Sequence, residues 1–122
     1  MLGVWETPNN SLVRIERCGS ALCAKLVHVA PTEPEKTDKN NPDPKLRQRP
    51  LCGLQIGSHF QLVDSAHAKG GLLYDPMSGN TYSGTMVAEG DSLKLRGYIG
   101  ISLFGRTEVW HRSSKPVDPC KS

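Results

Sequence analysis

The sequence predicts an all-β fold, an antiparallel sandwich or barrel in one domain. Three observations predict it. Apolar and polar residues alternate with a period of two, as in strands that bury one face. The alternating runs are short and punctuated by turn residues: Pro8-Asn9-Asn10, Cys18-Gly19-Ser20, Gly57-Ser58, Ser78-Gly79-Asn80, Glu89-Gly90-Asp91 and Gly100. The length of 122 residues suits a single domain that buries roughly two thirds of its unfolded surface without metal or oligomerisation.

The first hairpin can be registered from its residues. With Cys18 opposite Cys23, Glu16 faces Lys25, Ile15 faces Leu26 and Val13 faces His28. The charged pair then lies on one face and the apolar pair on the other. A one-residue slip would destroy both. This register predicts a Cys18–Cys23 disulfide on the outer face and turns His28 inward beside Val13, Ile15 and Leu26.

The period breaks between Ala30 and Pro50, "APTEPEKTDKNNPDPKLRQRP", which holds five of the nine prolines and nine charges. It is too long and polar for a hairpin turn, and reads as a flap or long loop. Inside it, Asp43 as N-cap, Pro44 at the first helical position and the basic residues that follow predict one short helical turn lying across a barrel mouth.

The stretch "HAKGGLLYDPMSGNTYSG", His67 to Gly84, reads as the corner of a sheet. Gly70-Gly71 allows a bend or bulge as a strand begins, over Leu72 to Asp75. Asp75 to Asn80 is a turn with Gly79 at positive φ and Asp75 or Ser78 as its cap. Thr81 to Val87 is the return strand. Tyr74 and Tyr82 flank the turn and suit a ligand entrance as well as packing. In "SLKLRGYI" Leu93 and Leu95 alternate with Lys94 and Arg96. In "RTEVWHR" Thr107, Val109 and His111 oppose Glu108, Trp110 and Arg112.

Fifteen basic against twelve acidic residues give a net charge of +3. The basic residues are spread along the chain with no aromatic-laced stripe, which argues against nucleic-acid binding. No apolar run approaches the roughly 18 residues of a membrane span. The chain opens "MLGVWETP" without an export signal, so the protein is either cytosolic or read after such a signal has been removed. Four cysteines in a small domain favour the second, because an even count reads as disulfides in an oxidising compartment. Cys18 and Cys23 pair first, which leaves Cys52 and Cys120 as the second pair. The cysteine spacing lacks paired C-x2-C knuckles, and His28, His59, His67 and His111 form no ligand cluster, so no metal or cofactor is expected.

Five blocks occur in order: "GVWET" (Gly3 to Thr7), "NPDPKLRQRPLCGLQI" (Asn41 to Ile56), "GGLLYDPMSGNTYSG" (Gly70 to Gly84), "LKLRGYIG" (Leu93 to Gly100) and "GRTEVWHR" (Gly105 to Arg112). Together they resemble the bacterial family called domain of unknown function 2147. The resemblance implies a single antiparallel lipocalin-like β-barrel over residues 3–112, within which 30–50 is the flap or long loop read above, and 113–122 is a tail outside the pattern. It also implies export to the periplasm or envelope, and no particular activity. Gly3-x-Trp5 is similar to the lipocalin Gly-x-Trp signature, in which the tryptophan plugs the closed barrel end. Arg112 or Arg106 would be the cation over its ring.

The leading functional expectation is a non-enzymatic periplasmic or secreted protein that binds a small hydrophobic or amphipathic molecule in its barrel. Val13, Ile15, Leu26, His28, Leu54, Ile56, Leu93 and Leu95 would line the interior. The candidate ligand-binding residues are His28, Arg47, Arg49, Tyr74, Asp75 and Tyr82. The flap arginines would hold an anionic head group, with Asp75 as their rim partner. Two alternatives remain open: an envelope structural or interaction module with a filled barrel, and an enzyme at the polar mouth. No nucleophile elbow is present, and the acid–base candidates are Tyr74, Asp75 and His67.

Overall fold

The hairpin of β2 (Leu12–Cys18) and β3 (Ala21–His28) shows how the alternation builds a wall. Val13 pairs with Leu26, Ile15 with Ala24, Glu16 with Cys23 and Cys18 with Ala21. This register is two residues tighter than the sequence predicts, because Gly19 at φ 64° helps close a two-residue turn. Glu16 therefore does not face Lys25; Arg14 does. An even shift leaves every side chain on its face, so Val13, Ile15, Leu22 and Ala24 are still inward and buried. Cys18 and Cys23 become diagonal rather than direct neighbours, with Cα atoms 5.8 Å apart, and form the disulfide.

The structure, a computed structural model, describes residues 1–30, 36–98 and 106–115. Six further strands complete the sheet: β1 (Gly3–Glu6), β4 (Gln55–Leu62), β5 (His67–Asp75), β6 (Asn80–Glu89), β7 (Ser92–Tyr98) and β8 (Arg106–Arg112). Each pairs antiparallel with its neighbour in sequence, and β1 pairs with β8 through Trp5↔Arg112, so the sheet closes into an eight-stranded barrel. Closure leaves no sheet edge for another chain to pair with.

Loops of an up-and-down barrel alternate between its ends, and the two ends differ. At one end Trp5, Ile15, Leu22, Phe60, Met86 and Leu93 fill the interior, none more than 1% exposed. Trp5 donates from Nε1 to the Met1 carbonyl at 3.0 Å. The Arg112 guanidinium lies 4.0 Å from the Trp5 ring centroid and donates to the Leu2 carbonyl at 2.6 Å. Arg112 is thus the cation over the plug.

Phe60 owes its place to two kinks. Gly57 and Phe60 are both buried three residues apart in β4, and so are Ala68 and Gly71 in β5. Strict alternation forbids that spacing, so each strand carries an extra residue: His59 at φ 65° and Gly70 at φ 71°. The pairs Ser58↔Leu72 and Gln61↔Lys69 flank both, so the kinks lie side by side. The glycine pair lies inside β5 rather than at its start, and Gly71 is where Phe60 lies: a Cβ there would sit 2.3 Å from the ring.

The 36–50 segment contains the expected short turn, a 3-10 helix over Pro44–Leu46, with Asp43 accepting from the Lys45 N–H at 3.0 Å. Thr37 bridges to Pro50, and the Asp38 N–H donates to the Arg49 carbonyl, which closes the segment into a loop. After β8 the chain runs back along β1, with the Ser113 N–H on the Val4 carbonyl and Lys115 paired with Glu6. Cys52 is disulfide-bonded. Cys120, its expected partner, lies outside the described residues.

Candidate functional site

Above the filled layer the barrel is hollow. A cavity of ≈ 510 Å³ opens at the end that carries the β1–β2, β3–β4 and β5–β6 connections. Leu26, Val29, Leu51, Ile56, Leu73 and Leu95 form its apolar wall. Thr7, Asn9 and Ser11 stand on one side of the rim, and Tyr74, Asp75 and Tyr82 on the other. The volume is within the range of sites that take one small molecule. Of the eight expected lining residues, Leu26, Ile56 and Leu95 line this cavity, while Val13, Ile15, Leu54 and Leu93 belong to the packed core.

Among the cavity residues that the sequence candidates missed, one pair bears directly on the chemistry of the site. Trp110 and Glu108 share the inward face of β8, opposite Leu93 and Leu95. Trp110 is 5% exposed and donates from Nε1 to Glu108 Oε1 at 2.6 Å. The pair is two residues apart on one face, as the period of two requires. The sequence pattern contained it but did not say which face of β8 was inward.

Asp75 caps its own turn, accepting from the Met77 N–H at 3.0 Å and the Ser78 hydroxyl at 2.9 Å. It is not the arginine partner that the sequence suggests. Arg49 instead donates from Nε to Asp38 Oδ2 at 2.8 Å, and Arg47 from Nε to the Asn41 carbonyl at 2.8 Å. Asp38 is fully buried and also accepts from the Asn41 amide at 2.8 Å and the Tyr74 hydroxyl at 2.6 Å. Two backbone carbonyls of the β5–β6 turn, Pro76 and Met77, accept from the Asn40 amide. The segment thus docks on the rim and outer wall rather than across the opening. It covers a second cavity of ≈ 300 Å³, with Asn41, Pro42 and Arg49 on one side and Gln55, Ser58, Leu72 and Thr81 on the other.

Tyr74 and Ile56 line both cavities. Tyr74 therefore joins the segment's buried carboxylate to the barrel interior. Burial, and then the Asp38 carboxylate that accepts its hydroxyl proton, push the Tyr74 phenol up to about 12. A raised folded-state value stabilises the protein below the unfolded value near 10, and that contribution is lost as pH rises through 12. Alkaline titration followed by tyrosinate absorbance should show a late ionisation step, at about 12, from Tyr74. Tyr74→Phe should remove that step. A native protein without it would contradict the assignment.

The remaining candidates lie apart. His28 is half-buried at the end of β3 and lines neither cavity. His67 starts β5 and bonds Asp64 at 2.8 Å, which holds the Asp64 carboxyl below its usual range. Asp75 ends the same strand, about 26 Å away at the usual rise per residue. His67, Tyr74 and Asp75 thus form no acid–base group. Among the described residues no three His, Cys, Asp or Glu side chains converge as a metal site, and no helix is long and apolar enough to cross a membrane.

The sequence profile of a bacterial family, described as "Uncharacterized protein conserved in bacteria (DUF2147)", matches residues 3–112. The chain belongs to this family. A solved structure is described as protein HP1028 from the human pathogen Helicobacter pylori, belonging to the lipocalin family. It is 27% identical, with a TM-score of 0.83 over 93% of this chain and 82% of its own. The barrel is therefore lipocalin-like. No curated protein matches the sequence.

Proposed function

We propose that the protein is a non-enzymatic binding protein that takes one small, partly apolar molecule into the hollow end of its barrel. The single observation that carries the reading is the ≈ 510 Å³ cavity with an apolar wall and a polar rim. A barrel filled throughout by its own side chains would suit a structural or interaction module instead. Here the filling stops at the layer of Phe60 and Leu93, and Leu26, Leu73 and Leu95 face open space. Burying an alkyl chain against that wall contributes about 0.8 kcal/mol per methylene. The disulfide Cys18–Cys23 supports placement in an oxidising compartment, which in a bacterium is the periplasm or the exterior.

Calorimetric titration with a neutral amphiphile, decanol, tests the reading. Saturable one-to-one binding with a negative heat-capacity change is expected, as burial of apolar surface requires. Leu95→Trp, which fills the cavity from its wall, should abolish it. If the folded wild-type protein binds neither decanol nor a charged amphiphile of the same chain length, the filled-module reading replaces this one.

A further inference from the structure

We infer that the barrel cavity selects amphiphiles with a cationic head, an amine or quaternary ammonium, over fatty acids. The inference rests on the binding reading above and names the ligand class of the same site. It starts from the sign of the charge inside. Among the described residues that line the cavity, the charged side chains are Asp75 and Glu108, both carboxylates.

The nearby cations are engaged elsewhere. Arg49 pairs with Asp38 beside the outer cavity, and Arg47 is bonded to the Asn41 carbonyl. Arg112 covers Trp5 at the filled end. Arg96 reaches Thr107 on the outer face of β7 and β8.

The two carboxylates differ in what they have left to offer. Asp75 is spent on its turn, with one oxygen on the Met77 N–H and the other on the Ser78 hydroxyl. Among the described residues Glu108 is held by one oxygen only: Oε1 accepts from the Trp110 indole at 2.6 Å. That bond fixes the carboxylate against an aromatic ring at the boundary between rim and apolar wall. Oε2 is left for a ligand.

An ammonium group placed there meets a carboxylate in a cavity that Trp110 and Tyr82 also line, and aromatic rings attract cations. Its alkyl body then runs along Leu26, Leu73 and Leu95. A carboxylate head in the same place meets like charge.

Decylamine, decanol and decanoate share one apolar body and differ in head charge. Calorimetric titration of the three into the full chain, at low and high salt, separates the charge inference from the binding reading. Decylamine is expected to bind on the order of tenfold tighter than decanol, to compete with it, and to lose part of that advantage at high salt. Decanoate is expected to bind weakest. Glu108→Gln keeps an oxygen for the Trp110 N–H and removes the charge, and should bring decylamine to within about twofold of decanol. Decanoate binding as tightly as decylamine to the wild-type protein would overturn the inference and leave the binding reading standing. An amine preference that survives in Glu108→Gln would overturn the role given to Glu108. If none of the three binds, the cavity reading falls and this inference with it.

Discussion

Replacing Asp38 with alanine is expected to release the 36–50 segment from the barrel while the eight strands stay paired. Asp38 is fully buried, and its carboxylate accepts from Tyr74, Asn41 and Arg49. Removing it leaves a hydroxyl, an amide and a guanidinium without their acceptor. Breaking a fully buried charge pair costs about 3–5 kcal/mol, an upper bound here because the Arg49 side chain is 36% exposed. The global loss should be smaller, because the segment can undock and rehydrate these donors without unfolding the barrel. Hydrogen exchange separates the two effects. The backbone amides of Asp38, Asn41 and Arg49, which bond within the segment, should lose protection, while those of β6 and β7 keep theirs. Asp38→Asn retains one acceptor oxygen and should fall between the two. Unchanged protection across 36–50 in Asp38→Ala, together with a Tyr74 that still titrates late, would show that the carboxylate does not hold the segment.

Asp38 also marks where sequence reading stopped. Composition shows a polar, proline-rich segment, and such segments normally face water. Nothing local says that one of its nine charges is removed from solvent, because the enclosing groups come from Tyr74, 36 residues away, and from Arg49. The short turn at Asp43 and Pro44 was legible for the opposite reason: N-cap and first-turn proline are local rules. The strands occupy the middle ground. Alternation identified Val13, Ile15 and Leu26 as inward even though the register was off by two, since an even slip preserves the face. It failed at His28, expected beside them, because the register shifts between Leu12 and Val13 and pairs His28 with Leu12 instead. Alternation failed where its period breaks. The kink at His59 requires positive φ in a non-glycine residue, which sequence does not announce. β8 was legible as a strand, but Thr107, Val109 and His111 were as plausible an inner face as Glu108 and Trp110. The cavity carboxylate was therefore visible as a residue and invisible as a site.

Adding one methyl group at Gly71 is expected to destabilise the barrel by about 1–3 kcal/mol, the usual range for overpacking a filled core. A Cβ on Gly71 would lie 2.3 Å from Phe60 Cδ1 and 2.4 Å from Cγ and Cε1, so the clash is with the body of a rigid ring. The ring has no free direction. It is fully buried, and a Cβ at Gly84, the partner of Gly71 across β5 and β6, would stand 3.4 Å from its Cζ. Phe60 thus lies across two registered glycines. Phe60→Ala removes the ring and should cost about 3–5 kcal/mol. Phe60→Leu is milder and opens space where the Gly71 methyl must go. The Gly71→Ala, Phe60→Leu double variant should then be at least about 1 kcal/mol more stable than the sum of the single changes predicts. Gly70→Ala supplies the control: its φ of 71° makes a side chain costly whatever the space around it. Its effect should add to that of Phe60→Leu without coupling. Urea unfolding of the single and double variants decides the matter. Additivity of Gly71→Ala and Phe60→Leu to within about 0.5 kcal/mol would mean that the ring moves aside freely. The layer that ends the cavity would then be looser than its burial implies. Strong coupling means that the glycines of β5 and β6 hold Phe60 flat. The barrel is then packed shut beneath the cavity and left open above it.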